Sequence, residues 1–333
     1  MTNPTHTAGL WRRSIFTCAM LLTFALTGVC ADWPKSGTLE IVVPSGPSGG
    51  LDLAAREIKN LLDTGKLIST PSMVVNKSGA GGVIAYQYVR QRRGDARVLV
   101  LASPALMTNR LMGIGDVSPQ ELTPVCSMFA EAVVFMVRAD SNIRNGKDLV
   151  ARLKADPASV PWGIATSYGA SNHIAVAAMM KSAQIELKNG LYAIYRSGGD
   201  ALVALLGGQV EVVPVAASAT LSALASGRVR LIAISSAERM GGPLAGVPTW
   251  REQGFDAVYT PWRVIYAPGN VSESDVRAIA KTFEKLDATP QWAQAVSKNQ
   301  WIRNYMDTEA TRRFLDQQWA EHRILIDEFG LLK

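Results

Sequence analysis

Apolar residues along this chain fall into short unbroken runs that alternate with stretches where they recur every three or four positions. That is the signature of buried strands alternating with amphipathic helices. The run 39–43 (LEIVV) leads into Pro44-Ser45-Gly46-Pro47-Ser48-Gly49-Gly50, after which Leu51, Ala54, Ile58, Leu61 and Leu62 share one helical face. Strands are expected at 72–75, 98–102 and 133–137, the last after the extended stretch 123–130, with a helix over 83–92. Past Arg138 the same alternation restarts. Helices are expected at 145–155, 172–182, 199–206 and 220–226, the last ended by Gly227, and strands at 162–165, 192–195, 210–215 and 229–235. A further strand at 262–267 precedes a helix opened by Ser272 and Asp275 that turns Val276, Ile279, Phe283 and Leu286 inward. A final helix from about 308 turns Leu315, Trp319, His322, Ile326 and Phe329 inward.

Short, fully apolar strands between helices predict α/β lobes, each a mainly parallel sheet covered on both faces. The second α/β unit begins before the first has finished. Two lobes are therefore expected, 32–135 with 261–333 and 136–260, joined by two strand-like crossings. Loops at the strand ends of both would face the cleft between them, where open α/β sheets hold ligands.

The ends and the charge narrow the class. Arg12 and Arg13 precede an uncharged apolar run at 15–29 and then Val29-Cys30-Ala31, the order of a secretory leader cleaved near Ala31, so a periplasmic destination is expected. The Arg pair faintly resembles a twin-arginine signal, and both export routes, as well as lipidation at Cys30, stay open. A 333-residue chain with 48% hydrophobic and 19% charged residues is globular rather than disordered or fibrous. Its net charge is +6, or +4 once Arg12 and Arg13 leave with the leader, and no basic stripe marks a nucleic-acid surface. A mild positive field suits a small anion. Of three cysteines only Cys126 lies beyond the leader, so no internal disulfide is expected, and its apolar neighbours point to a buried structural thiol.

The chemistry concentrates in loops between strands and helix starts. Gly46-Pro47-Ser48-Gly49-Gly50 fits G-x-S-x-G, the nucleophile elbow, which would make Ser48 the nucleophile of a serine hydrolase. Against it, no strand precedes 39–43 to supply an oxyanion loop, and beyond the leader only His173 and His322 are available as bases. The better reading of the same loop is an anion cradle, with Asp52 as N-cap paired to Arg56 one turn on, because the first N–H groups of a helix lack internal partners and the helix dipole favours negative charge there. Gly79-Ala80-Gly81-Gly82 is a second cradle and lacks the dinucleotide pattern. Ser167-Tyr168-Gly169-Ala170-Ser171-Asn172 and Tyr195-Arg196-Ser197-Gly198-Gly199 repeat the arrangement in the second lobe, the latter with a cation, and Ser103 ends a first-lobe strand. There is no metal-ligand spacing, and no cofactor is expected.

Taken in order, these motifs resemble the Bug (TctC-like) family, the extracytoplasmic receptors of tripartite tricarboxylate transporters. Pro44 with Gly49-Gly50-Leu51-Asp52-Leu53-Ala54-Ala55-Arg56 is similar to that family's P-F-x-x-G-G-x-T-D-x-x-A-R, and Asn76-Lys77-Ser78-Gly79-Ala80-Gly81-Gly82 to N-R-x-G-A-G-G. Tyr195-Arg196-Ser197-Gly198 with Leu205-Leu206-Gly207-Gly208-Gln209-Val210 resembles Y-[RK]-G-x followed by L-L-G-G-x-V. Val247-Pro248-Thr249 with Glu252 and Gly254, then Trp262-Arg263 and Ala267-Pro268, resemble V-P-T-x-x-E-x-G and W-x-G-x-x-A-P.

The resemblance implies a non-enzymatic, two-lobed periplasmic binding protein of type II-like form, a monomer, that holds a carboxylate between its lobes and delivers it to membrane permease subunits. A sensor contacting a membrane receptor is the other binding-protein reading. Together with the loop reading, it implies ligand-binding roles for Ser45, Gly46, Ser48, Gly49, Gly50, Asp52, Gly81 and Ser103 of the first lobe. The second lobe would contribute Ser167, Tyr168, Ala170, Ser171, His173, Tyr195, Arg196 and Ser197. The chain departs from the pattern with Ser45 in place of Phe, Ser48 of Gly and Leu51 of Thr, exchanges that reshape the pocket and point away from the usual dicarboxylates while keeping a carboxylate-type anion as the expected ligand.

Overall fold

The computed structural model describes residues 33–333, so the expected leader lies outside the described residues. In chain order the elements are β1 (Leu39–Val43), α1 (Gly50–Thr64), β2 (Ser72–Asn76), α2 (Val83–Arg90), β3 (Val98–Ala102), α3 (Ala105–Leu111), β4 (Leu122–Glu131), β5 (Val133–Arg138), α4 (Gly146–Ala155), β6 (Pro161–Ala165) and α5 (Ser171–Ser182). They continue with β7 (Leu191–Tyr195), α6 (Gly198–Leu206), β8 (Val213–Ala216), α7 (Ala217–Ala225), β9 (Val229–Ile234), β10 (Trp262–Pro268), α8 (Glu273–Asp287), α9 (Pro290–Lys298), β11 (Trp301–Met306) and α10 (Thr308–Glu328).

The first half is built on a sheet in the order β11-β4-β10-β3-β1-β2, the second on β8-β5-β9 with a separate pair β6-β7. The α/β architecture holds, with mixed rather than mainly parallel sheets. β1 runs parallel to β2 and β3, and β6 to β7, but β10 is antiparallel to both β3 and β4, and β5 to both β8 and β9. The cause is the crossing itself. The chain passes from β4 into β5 through Ala132 alone and returns as β10 beside β4, so the returning strand must run the opposite way. Continuous apolar runs report burial on both faces and carry no information on direction.

Alternation along β1 explains the layers. Ile41 and Val43 join a core with Leu99, Leu101 and Ile265 under Ile58 and Leu62 of α1 and Ile279 and Phe283 of α8. Val42 faces the other side, with Val100, Val264, Tyr86 and Val89 of α2, and Leu315 of α10. Each such large side chain, removed from water, contributes about 2 kcal/mol. Phe129 stacks on Trp301 with ring centres 4.2 Å apart and meets the edge of Trp292. In the second half Phe135 stands edge-on between Trp162 and Trp250, at 6.2 and 4.8 Å.

Sequence reading missed α3, α9 and β11. α3 is a seven-residue helix directly behind Pro104; α9 is set by the Thr289 hydroxyl capping Trp292 N–H with Pro290 following; β11 has no apolar run to betray it. The expected strand at 210–215 starts only at Val213, because Glu211 and Val212 are tied to Pro161 and leave the ladder to bridge β6. In α10, His322 is buried, with Nδ1 2.8 Å from the Gln318 carbonyl oxygen, while Trp319 and Phe329 are half-buried. Cys126 is a buried free thiol, and burial pushes its pKa up.

Candidate functional site

The carboxyl ends of β1, β3, β6, β7 and β8 open onto one cavity of about 60 Å³. Pro44, Ser45, Gly49, Gly50, Leu51, Gly81, Ser103 and Ala105 line it from the first half, Arg263 from the start of β10. Ala165, Thr166, Ala170, Ser171, Asn172, Ser197, Gly198, Val215, Ala216 and Ala219 line it from the second. The first turns of four helices, α1, α5, α6 and α7, therefore meet at a single point. Three of them, α1, α5 and α7, carry no side-chain cap. Uncapped N–H groups and four dipole ends of one sign favour an anion at the wall, and Asp52 in the first turn of α1 and Asp200 in that of α6 offset part of that field.

The cradle at α1 is held from behind. The helix starts at Gly50, so Asp52 is not the N-cap but a residue of the first turn. Its carboxylate reaches back to accept from Ser48 N–H at 2.9 Å, and it also accepts from Arg56 Nε at 2.9 Å and Asn76 Nδ2 at 2.9 Å. Burial alone would raise the pKa of Asp52, but those hydrogen bonds outweigh it and hold the pKa below the ordinary value. Asn76 also donates to the Ser45 carbonyl, which fixes the turn. Thr166 sits at φ +68, a left-handed conformation that a β-branched residue adopts at a cost of about 1–3 kcal/mol, and its N–H donates to the Tyr195 carbonyl at 2.7 Å.

The halves touch around the cavity. Gly46 N–H donates to the Arg196 carbonyl at 3.1 Å, and the Thr108 hydroxyl to the Gly169 carbonyl at 2.7 Å. A Cβ placed on Gly50 would stand 2.6 Å from Ala216 Cβ, and one on Gly81, whose φ is +67, would stand 2.5 Å from Ser167 Oγ. Contacts this close leave space only for glycine.

The floor carries a feature that sequence reading missed, a buried ion pair. Arg263 is 4% exposed and Glu131 fully buried. Arg263 donates from Nη2 at 2.8 Å and Nε at 3.1 Å to Glu131 Oε2, while Glu131 Oε1 accepts from the Ser218 hydroxyl at 2.6 Å and Trp301 Nε1 at 3.1 Å. Glu131 ends β4 and Arg263 lies near the start of β10, so the pair ties the two crossings together. The only hint in the sequence was that each charge sits in an otherwise apolar strand run.

Of the sequence-expected residues, Ser45, Gly49, Gly50, Gly81, Ser103, Ala170, Ser171 and Ser197 lie on the cavity wall; Gly46, Ser48, Asp52, Ser167, Tyr168, His173, Tyr195 and Arg196 do not. Ser48 is exposed and packs against Gly199 of the opposite half. Both described histidines are engaged elsewhere, so the elbow gains no base. His173 Nδ1 accepts from Gly169 N–H at 3.0 Å, which puts the ring proton on Nε2, and His322 lies on α10. Burial lowers the pKa of His173 to about 4, and the neutral ring, flanked by Tyr168 and Tyr192, shapes the loop rather than the cavity. Arg196 is 79% exposed at the rim and paired with Asp200, so the cation on the cavity wall is Arg263 instead. Neither Ser171 nor Asn172 caps α5; the Asn172 amide donates to the Pro214 carbonyl at 2.7 Å.

Two α/β halves joined by strand crossings, with a cavity at their strand ends, form the layout of a two-lobed binding protein. The chain belongs to the tripartite tricarboxylate transporter receptor family, TctC, whose sequence model matches residues 55–331. Protein BugT of Bordetella pertussis is 28% identical over 281 residues, covering 79% of this chain and 84% of BugT. Among solved structures, the periplasmic binding protein BugD superposes with a TM-score of 0.81 at 22% identity, over 89% of this chain and 98% of BugD. MatC from Rhodopseudomonas palustris, with bound malate, gives 0.77 at 19% identity, over 87% and 98%. At these identities the structural likenesses speak to the fold.

Proposed function

We propose that this chain is the exported capture component of its transporter, binding a small carboxylate-type anion between two lobes (32–135 with 261–333, and 136–260) and handing it, as a monomer, to membrane permease subunits. The observation that carries this reading is the meeting of four helix N-termini at one cavity, with serine and threonine hydroxyls between them and a matching guanidinium below. An anion there gains backbone hydrogen bonds and favourable dipoles without a metal or a catalytic base. BugD, described as periplasmic, and MatC, described with malate, support the compartment and the ligand class. A ligand that contacts both lobes stabilises the closed state over the open one, the differential affinity that drives closure about the two crossings.

The test is a thermal-shift screen of the purified protein against carboxylates, sugars and cationic amines, with isothermal titration of any hit. A ligand at 100 times its Kd stabilises the native state by about 2.7 kcal/mol, a shift of several degrees. Carboxylates should raise Tm while sugars and amines do not. A shift confined to uncharged or cationic solutes would sink the reading.

A further inference from the structure

The floor of the cavity offers an ion pair that is already closed on itself. Glu131 has its acceptor sites filled, two by Arg263 and one each by Ser218 and Trp301. It therefore has nothing to give a ligand ammonium group. Arg263 uses Nε and one Nη2 hydrogen on Glu131, and Nη1 on the carbonyls of Trp262 and Pro261. One Nη2 hydrogen is left without a partner among the described residues, on a side chain that lines the cavity. Glu131 itself lies close behind the wall, since its Oε2 would stand 3.4 Å from a Cβ on Gly50.

From this geometry we infer that Arg263 reads the inner end of the ligand, and that the group it accepts is a neutral oxygen, so that the chain selects short monocarboxylates bearing a hydroxyl or keto oxygen over dicarboxylates of the same length. The inference rests on the anion reading above: the ligand's carboxylate lies at the helix N-termini, and its other end reaches the floor. A lone arginine there would welcome a second carboxylate. Arg263 with Glu131 forms a pair of zero net charge, and a second carboxylate would lose its water against a guanidinium whose charge is already balanced by the carboxylate close behind it. A hydroxyl or carbonyl oxygen satisfies the spare N–H at no such cost, whereas an acid lacking that oxygen leaves a buried donor unpaired.

The experiment is isothermal titration of the purified protein with matched three-carbon acids, lactate and pyruvate against propionate and malonate, repeated with 3-hydroxybutyrate against butyrate and succinate. The oxygenated monocarboxylate of each set should bind about tenfold or more tightly than its plain and dicarboxylate counterparts. Glu131→Gln removes the negative partner and should shift the ratio toward malonate or succinate by about tenfold. Arg263→Lys keeps a cation for Glu131 but loses the planar fork, and should erase the preference for lactate over propionate. Melting curves establish that each variant folds, and the wild-type ranking needs no variant. Dicarboxylates binding the wild type as tightly as the oxygenated acids, or ratios unmoved in both folded variants, overturns the inference and leaves the anion reading standing. Failure of every carboxylate to bind overturns both.

Discussion

Gly50→Ala separates stability from binding in a way that only a closing site allows. Gly50 is the first residue of α1, at an ordinary backbone angle, and an alanine there satisfies helix preference better than glycine, by up to about 1 kcal/mol. The added methyl, however, would stand 2.6 Å from Ala216 Cβ of the opposite half, against the roughly 3.5–4.0 Å of an ordinary carbon contact. The halves must part by about 1 Å at that point, and an overpacked contact of this kind costs about 1–3 kcal/mol. That cost falls on the closed state and not on the helix.

The variant should melt, without ligand, within about 1 kcal/mol of the wild type, and bind the best carboxylate of the screen about 5- to 150-fold more weakly. Gly46→Ala is the matched control, because its new methyl would meet Arg196 and Ser197 atoms no closer than 3.5 Å, and its affinity should change little. Melting curves with isothermal titration read both quantities on the same samples. Equal affinities for Gly50→Ala and wild type would refute the claim that α1 and α7 meet on closure. A large loss of ligand-free stability would instead mean that the contact is a permanent part of the core.

Three further outcomes follow from the loops around the cavity. His173, buried and neutral with its pKa lowered to about 4, binds fewer protons folded than unfolded, so its stabilising effect is complete above the ordinary value of 6.5 and is lost as pH falls from there toward 4. Chemical unfolding should show a decline of about 3 kcal/mol over that window, reduced in His173→Asn, whose amide oxygen still accepts from Gly169 N–H; an unaltered slope in the variant would contradict the assignment. Asp52 is ionised below its usual range, so its contribution is present above pH 3.8 and lost on further acidification, and Asp52→Ala should destabilise by about 1–3 kcal/mol and weaken ligand binding. Thr166→Gly relieves a left-handed β-branched residue and should raise unfolding free energy by about 1 kcal/mol while lowering affinity through the lost hydroxyl, as denaturant melts and titration would reveal.

What the sequence discloses here divides along physical lines. Loops where apolar strands stop and helices start are legible because glycine and serine at those joints have few other uses, and half of the residues expected to bind do line the cavity. The other half lie off that wall, because a residue's place in a loop does not say which way it faces. Arg196 and Ser197 are neighbours, yet the hydroxyl caps α6 and lines the cavity while the guanidinium points out to Asp200. Arg263 escaped notice because nothing local pairs it with Glu131, 132 positions away. Strand direction was likewise hidden, since the same apolar run serves β3 in a parallel pairing with β1 and an antiparallel one with β10.

The position of Glu131 links the site to the crossings between the halves. Its carboxylate holds Trp301 from the first sheet, Arg263 from the second crossing and Ser218 from the first turn of α7, three parts of the chain that lie far apart in sequence. A carboxylate of this kind is costly to bury and tolerable only while every acceptor is used. Ser218 belongs to the second half and Trp301 to the first, so one carboxylate joins the two halves behind the cavity that Arg263 lines. Removing Glu131 or Arg263 singly strands the other as a buried charge, a loss of about 3–5 kcal/mol, and so only paired or conservative exchanges, read through ligand ranking and not through stability alone, can separate what the pair does for the fold from what it does for the ligand.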